Sequence, residues 1–390
     1  MPFKECSTVS LREEFCRLAG ADGANRRELC RRFGISPSVG YKWLGRYRAE
    51  GLSGLGDRVR RPRTSPTRTR EDIEAQVLAV RAAHPVWGGR KIRRVLLDDG
   101  LEQVPAASTI TDILRRHGRL DGPGAGETRH WTRFEHPEPN DLWQMDFKGH
   151  FAMREGRCHP LTVLDDHSRY SLTIGACGNE QTATVRGHLQ QVFERYGLPR
   201  RILTDNGSPW GTSGSSERHT VLTVWLMDLG VDVVHGRPYH PQTQGKDERF
   251  HRTLKGEVLN GRLFETLAQA QQAFEAWRHI YNTRRPHEAL GMATPATRYR
   301  PSPRAMPGRI EPPEYEPQSD VRKVRDNGAI YYRNRQIRTC KAFAGKYVAL
   351  RATQADGVFD ICYRHHRLAQ IDLRQAVVNV STMSPYTCSP

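Results

Sequence analysis

Three acidic side chains, each in its own local setting, are the residues of this chain best able to do chemistry. Asp146 lies in NDLWQMDFKG (140–149), Asp205 in LTDNGSPW (203–210) and Glu248 in HPQTQGKDERFHRTLKGE (240–257). Hard divalent cations such as Mg2+ prefer carboxylate oxygens and keep several waters, so three acids are a sufficient site. Two such ions about 4 Å apart activate an attacking oxygen and stabilise a leaving one during phosphodiester cleavage and transfer. Such a site activates water or a hydroxyl directly and needs no nucleophilic side chain. Asp146 falls mid-strand, with Trp143 and Met145 on one face and Gln144, Asp146 and Lys148 on the other. An acid on a central strand is expensive unless it binds something. Asp205 follows a short strand and precedes Asn206-Gly207, where strand gives way to loop. Glu248 comes one turn into a helix whose Phe250, Leu254 and Val258 pack inward. Singly, Asp205 also suits an Asx turn and Glu248 a helix N-terminal charge.

Other acids compete. Asp165 and Asp166 end a hairpin, where turn chemistry is the ordinary role. Asp247 points about 100° around the helix from Glu248 and ranks below it. The same helix is basic through Lys246, Arg249, His251, Arg252 and Lys255, and Glu248, Arg252 and Lys255 share a face at i, i+4 and i+7. That places cations beside the acids, able to grip a phosphate backbone; salt bridging on a solvated helix is the plainer alternative.

These acids need elements to position them. From residue 142 the pattern is strands and helices: strands over 142–151, 158–164 and 170–176, a helix over 182–196, a strand over 201–204, a helix over 220–229, a strand over 231–234, then helices over 245–259 and 267–281. Strand, hairpin, strand, then alternating helix and strand is the order of a ribonuclease-H-like α/β domain.

Upstream, Ser10-Leu11-Arg12-Glu13 has a capping-box pattern, a second helix covers 25–33 and stops at Gly34, and a third starts with Ser36 as N-cap and Pro37 in its first turn. Val39, Trp43 and Tyr47 form its apolar stripe, and Ser38, Tyr41, Lys42, Gly45, Arg46 and Arg48 an opposite face suited to a DNA groove. This is a helix-turn-helix; a basic three-helix cap is the alternative. Residues 51–70 read as an extended linker rich in Gly, Arg, Pro and Thr, which tracks phosphates or serves as a tether. Helices over 71–83, 90–97 and 108–117 make a second helix-turn-helix, followed by a Gly-rich linker over 118–126. Residues 301–317 are proline-rich, and short apolar runs over 321–373, broken by Asn-Gly and Asp-Gly turns, indicate a small β-barrel.

The 390 residues allow two to four domains, and a formal charge of +17 suits a protein that meets polyanions. The basic residues are nine lysines and 51 arginines, a skew that bidentate phosphate contact or a G+C-rich coding bias would equally produce. Eight cysteines are scattered without CxxC or zinc-module spacing, which reads as reduced thiols. No apolar run approaches the roughly 20 residues of a membrane span and no secretion signal is apparent, so a cytoplasmic location is expected.

WQMD, TDNG and HPQTQGKDERFHRTLK, in that order, resemble the three motif blocks of the integrase-like DDE transposases, the bacterial insertion-sequence relatives of retroviral integrases. The resemblance continues through Tyr281-Asn282, Arg285-Pro286-His287 and Ala289-Leu290, covers 131–299 strongly, and extends loosely to the flanks through WGGRKI. It departs from retroviral integrases in a longer 205-to-248 interval, with a Gly/Ser-rich insert at 211–216, and in lacking their zinc-binding His/Cys module. The resemblance implies Asp146, Asp205 and Glu248 as catalytic metal ligands, holding two Mg2+ per active site with Mn2+ able to substitute. It implies a mobile loop over 238–245 that positions DNA ends, and DNA contacts from Asn206, His240, Gln242, Gln244, Lys246, Arg249, Arg252 and Lys255, beside Lys42 and Arg46 from the first helix-turn-helix. The expected multidomain architecture is an all-α tandem helix-turn-helix region (1–50 and 71–118, with a basic linker at 51–70), a linker at 119–138, a ribonuclease-H-like integrase core over 139–300, a Pro-rich linker at 301–319 and a small β-barrel over 320–375. The expected function is transposition: binding of terminal inverted repeats, then cleavage and transfer into target double-stranded DNA, by a homo-oligomer that holds two ends. A nuclease acting on RNA·DNA hybrids and a DNA-binding protein without catalysis are the rivals; the two helix-turn-helix modules disfavour the first and the intact acids the second.

Overall fold

The computed structural model describes residues 7–58, 68–120, 135–212, 219–236 and 245–374, and the backbone of 380–382. The chain divides into two compact units, Met1–Arg68 and Thr69–Pro390.

The first unit holds α1 (Thr8–Gly20), α2 (Arg26–Arg32) and α3 (Pro37–Glu50). Ser7, not Ser10, caps α1 by accepting the Ser10 amide, so the helix starts earlier than the capping-box pattern suggests. Ser36 caps α3 as expected. Its buried stripe is Gly40, Trp43 and Leu44, while Val39 is exposed, a shift of one position from the expected stripe. Gly40 explains the shift: a Cβ there would lie 2.5 Å from Cys30 Sγ and 2.8 Å from Phe15 Cζ, so this glycine lets the helices meet closely. The segment after α3 is not extended at its start. Gly51–Leu55 form a 3-10 turn that returns a fully buried Leu55 to the cluster of Phe15, Cys16 and Trp43, and Arg12 donates to the Leu55 carbonyl at 2.8 Å.

In the second unit, α4 (Glu71–Ala83), α5 (Gly89–Asp98) and α6 (Ala107–Arg116) enclose Val77, Trp87, Ile92, Val95, Ile110, Ile113 and Leu114. Any side chain at Gly89 would strike the Ala107 carbonyl oxygen, which accounts for the second glycine of WGGRKI. The central domain follows. Strands β1 (Leu142–Phe147), β2 (Phe151–Ala152), β3 (Arg157–Asp165), β4 (Ser171–Cys177), β5 (Arg201–Thr204) and β6 (Asp232–His235) form a mixed sheet in the order β2-β3-β1-β5-β6, with β4 also on β3. β1 is antiparallel to β3 and parallel to β5. Helices α7 (Thr182–Tyr196), α8 (Val221–Asp228), α9 (Gly245–Leu254, extended by a π turn at Lys255–Leu259) and α10 (Leu267–Thr283) cover it. One apolar layer joins Trp143 and Met145 of β1 to α7 and α8; the other joins Leu164 and Ile174 to Phe250, Leu254, Phe274 and Trp277. Each such side chain taken fully out of water contributes roughly 1.5–3 kcal/mol.

The chain beyond α10 is bound to this domain. Ser302 donates its amide to Tyr196, Leu198 donates to Arg304, and the Arg304 guanidinium reaches the carbonyls of Pro199 and Gly230. The Pro-rich segment therefore lines the domain over this stretch. Finally, β7 (Asp320–Lys323), β8 (Ala329–Tyr332), β9 (Arg335–Arg338), β10 (Tyr347–Ala352), β11 (Val358–Tyr363), β12 (His366–Asp372) and β13 (Val380–Thr382) form a five-stranded antiparallel sheet, β13-β12-β11-β10-β7, beside a β8-β9 hairpin. Among the described residues no pairing closes this sheet into a barrel. Its core, including Ile330, Phe343, Val348 and Ile361, takes in Val224 and Met227 of α8. Among the described residues no helix is long and apolar enough to cross a membrane.

Candidate active site

Asp146, Asp205 and Glu248 come from three elements: the C-terminal half of β1, the end of the adjacent parallel strand β5, and the first turns of α9. Parallel pairing of β1 with β5 carries both aspartates toward the same end of the sheet. Asp146 is partly buried, Asp205 likewise, and Glu248 is exposed. The three share one field. Burial first, then the charge of Asp205 and smaller contributions from Glu180 and Glu248, push the Asp146 carboxyl up to about 7, against a backbone hydrogen bond from Phe147 that lowers it.

Each acid is held by its surroundings. Asp205 accepts from the Gly207 amide at 2.9 Å and from the Trp210 indole N–H, and Trp210 stacks on Phe147 of β1 at 5.4 Å between ring centroids. Behind Asp146, Thr162 on β3 donates to the Asp146 carbonyl at 3.0 Å, and its hydroxyl lies 2.8 Å from His251 Nε2. His251 is thus turned into the domain and is not part of a basic outer face: burial pushes it down to about 4. This hydrogen-bonded chain fixes α9 against the centre of the sheet. Lys246 is also turned inward, pairing with the buried Asp166, which further accepts from Gln144 at 2.7 Å and from the His136 amide at 2.9 Å. Lys246, expected at DNA, is thus engaged in an ion pair that anchors the helix. Asp165 accepts from the amides of Ser168 and Asn140 at 2.8 and 2.7 Å, which is the turn chemistry anticipated.

Asp247 holds the least expected position. It is 1% exposed, and neither carboxylate oxygen has a hydrogen-bond partner among the described residues. Burial, then Asp146 and Asp166, raise it well above the ordinary carboxylate range. Its helical angle from Glu248 turns it inward, behind the three acids.

Arg249, Arg252 and Lys255 are exposed along α9 beside Glu248. Asn206 is exposed and donates to the Gly236 carbonyl at 3.1 Å, tying the end of β5 to the end of β6. In the first unit Lys42 is exposed, and Arg46, half-buried, lies 5.0 Å from the Trp43 ring. His240, Gln242 and Gln244 lie outside the described residues.

Five family models match the chain. "Integrase core domain" models match 136–241 and 229–295, an "IS481 family transposase, C-terminal domain" model matches 319–379, and "Homeodomain-like domain" models match 17–56 and 39–114. An uncharacterized 39.2 kDa protein of insertion element IS476 from Xanthomonas euvesicatoria is 28% identical over 65% of this chain and 72% of its own length. The models thus find in this chain an integrase core and an insertion-sequence transposase C-terminal domain, behind homeodomain-like segments. A protein of insertion element IS407 from Burkholderia multivorans is 30% identical over 40% of this chain and 54% of its own length. A transposase for insertion sequence element IS904 from Lactococcus lactis is 28% identical over 42% and 62%. The chain thus spans less than two thirds of those last two relatives.

The donor set fits a hard divalent cation. Asp146, Asp205 and Glu248 offer only oxygen, and the upward push on Asp146 comes first from burial and then from the neighbouring acids, led by Asp205. The three acids are candidates legible in the sequence, while the side chains that hold them are less so. The Trp210 lock on Asp205 was within the quoted LTDNGSPW stretch, and its single indole donor five residues after an acid was the available signal. The Thr162–His251 link joins residues far apart in the chain and left no local signal.

Proposed function

We propose that this chain binds the terminal inverted repeats of an insertion sequence and carries out metal-dependent strand cleavage and strand transfer into target double-stranded DNA. The observation that supports this best is the convergence of three acids from β1, β5 and α9, where burial first, then Asp205 and in smaller part Glu248, drive up the Asp146 carboxyl. Asp146, Asp205 and Glu248 would hold Mg2+, two ions per site with Mn2+ able to substitute; these supply charge stabilisation at the attacking and leaving oxygens. The chain's residues do the positioning. Trp210 and the Gly207 amide aim Asp205, while the Thr162–His251 pair and the Lys246–Asp166 ion pair hold α9 so that Glu248 faces out. Arg249, Arg252 and Lys255 then lie along the exposed face where phosphates approach, and guanidinium groups suit their oxygens. His240, Gln242 and Gln244 are assigned to the DNA ends, and Asn206 to the DNA near Asp205. Lys42 and Arg46 of α3 are assigned to the repeat, and the C-terminal sheet with its hairpin to a small barrel-like module. Two ends must be held together, so the working form is a homo-oligomer, acting in the cytoplasm where the genome lies.

The test is strand transfer of a labelled duplex bearing the element's own ends in Mg2+, comparing the native chain with Glu248→Gln. Joined product from the native chain alone, with DNA binding kept by both, is the expected result. Binding without joining by the native chain would sink the catalytic reading in favour of a DNA-binding protein.

A further inference from the structure

The C-terminal sheet is held to the central domain by two acids that are met in different ways. Asp228, buried at the end of α8, is matched by cations: Lys346 Nζ at 2.5 Å and Arg364 Nε at 3.4 Å, with the Tyr363 hydroxyl donating to the same carboxylate. Asp232, which opens β6, instead faces two imidazoles. His365 Nε2 lies 3.3 Å and His366 Nδ1 3.6 Å from Asp232 Oδ1, and the ligand atoms of all three residues fall within 4.8 Å of one another. Both histidines sit at the tight turn between β11 and β12, where Tyr363 pairs with His366 and Arg364 adopts a positive φ of 53°. That turn sets neighbouring side chains toward one point on β6.

We propose that Asp232, His365 and His366 form a site for a borderline-soft divalent transition metal, Zn2+ in the first instance, which clips the β11–β12 hairpin to β6. Two imidazoles and one carboxylate are a nitrogen and oxygen set that zinc takes, with water in the fourth position. Ligand atoms about 2.0 Å from a tetrahedral ion are about 3.3 Å apart, close to the two distances made by Asp232 Oδ1. The third ligand atom comes from His365, whose side chain is 60% exposed and lies within 4.8 Å of the other two. His366 is largely enclosed, and its Nε2 finds no hydrogen-bond partner among the described residues. Burial, assisted by His365 and Arg364, favours its neutral form, the one that ligates metal. The cations near this site are Arg201, opposite Asp232 on β5, and Arg364, which is already paired with Asp228. A hydrogen-bonded clip without metal is the competing arrangement. Among the described residues it gives Asp232 a hydrogen bond from the exposed His365 imidazole, where Asp228 has three donors.

The site is distinct from the three catalytic acids in chemistry as well as in place, and this separates the two experimentally. Millimolar Mg2+ occupies carboxylate and water sites, whereas imidazole nitrogen selects later first-row metals. The experiment is calorimetric titration of the full chain with Zn2+ in excess Mg2+, paired with Co2+ absorption spectra. Comparison variants are His365→Gln, the double change His365→Ala with His366→Ala, and Asp232→Asn. One ion bound per native chain is expected, with affinity reduced at least about tenfold in each variant. Co2+ should give the visible bands of a tetrahedral site without the near-ultraviolet thiolate band that cysteine ligation would produce. Zn2+ should raise the unfolding temperature of the native chain and not of the variants. His365→Gln changes an exposed side chain, so its folding is secure even if the double variant fails to fold. No stoichiometric binding by the folded native chain, or binding unchanged in His365→Gln, would overturn the proposal.

Discussion

At the scale of single residues, the electrostatics of Asp146 give the most direct test. Its carboxyl is raised from 3.8 to about 7, first by burial and next by Asp205. A raised acid stabilises the fold fully below its unfolded value and loses that contribution as pH climbs through the folded value. The metal-free chain should therefore unfold at progressively lower temperature as pH rises from about 4 to about 7, and the buried Asp247 acts in the same direction. A divalent cation must displace the Asp146 proton. Its apparent affinity should fall about tenfold per pH unit below 7 and level off above it. Mg2+ titrations between pH 6 and 8 followed by unfolding temperature would show this, and a flat profile would mean that Asp146 is already ionised. Trp210→Phe keeps the stack on Phe147 but removes the indole donor from Asp205. Supports of metal ligands are worth about 10- to 100-fold in affinity or activity, so strand transfer should drop by that factor with the unfolding temperature little changed. Equal activity in this variant would show that the Gly207 amide alone aims Asp205.

At the scale of elements, the acid-bearing pieces were legible because each declares itself locally. Alternation through WQMD marks β1, the break at Asn206-Gly207 marks the end of β5, and the run from Phe250 to Leu254 to Val258 marks the inner face of α9. What could not be read is set by partners remote in sequence. The stripe of α3 is moved by the close approach of Gly40 to Phe15 and Cys30, and Lys246 turns inward because Asp166 waits there. Glu257 is the largest case. It accepts from Trp277 Nε1 at 2.8 Å, from Trp87 Nε1 at 3.3 Å and from Arg285 Nε at 3.0 Å, joining the π turn after α9, helix α10 and the second three-helix domain. The Glu257 and Arg285 side chains are only 8% and 11% exposed. Removing one partner of a buried ion pair strands the other charge, at a cost of roughly 3–5 kcal/mol. Arg285→Ala should destabilise the fold by about that much in denaturant unfolding, while Arg300→Ala, which breaks an exposed pair with Glu138, should change stability by less than about 1 kcal/mol. Similar midpoints for the two variants would show that Glu257 is satisfied by its two indoles alone.

At the scale of the whole molecule, charge is distributed against the local trend of the active site. The chain carries +17, yet its candidate catalytic centre gathers acids, with Asp146, Asp205, Glu248, Glu180 and Asp247 contributing to one field. A polyanion is therefore drawn to the molecule and held off the centre until cations offset the acids. Salt and divalent metal should act on different steps. DNA affinity reflects counterions released by Lys and Arg, and a protein making 6–10 phosphate contacts loses about 10³–10⁵ in affinity between 50 and 200 mM salt. The native chain should show a decline of that order by fluorescence anisotropy, both on duplexes bearing the element's ends and on random duplexes. Arg252→Ala, which removes one exposed cation beside Glu248, should lower the salt slope by about one on both duplexes while leaving the preference for the ends intact. Asp146→Asn should do the reverse at the centre. It removes a repelling charge, so binding without metal is kept or strengthened while strand transfer is abolished. If Asp146→Asn weakens metal-free binding in a chain that remains folded, the acids are part of the DNA grip and the division of labour between basic surface and acidic centre fails.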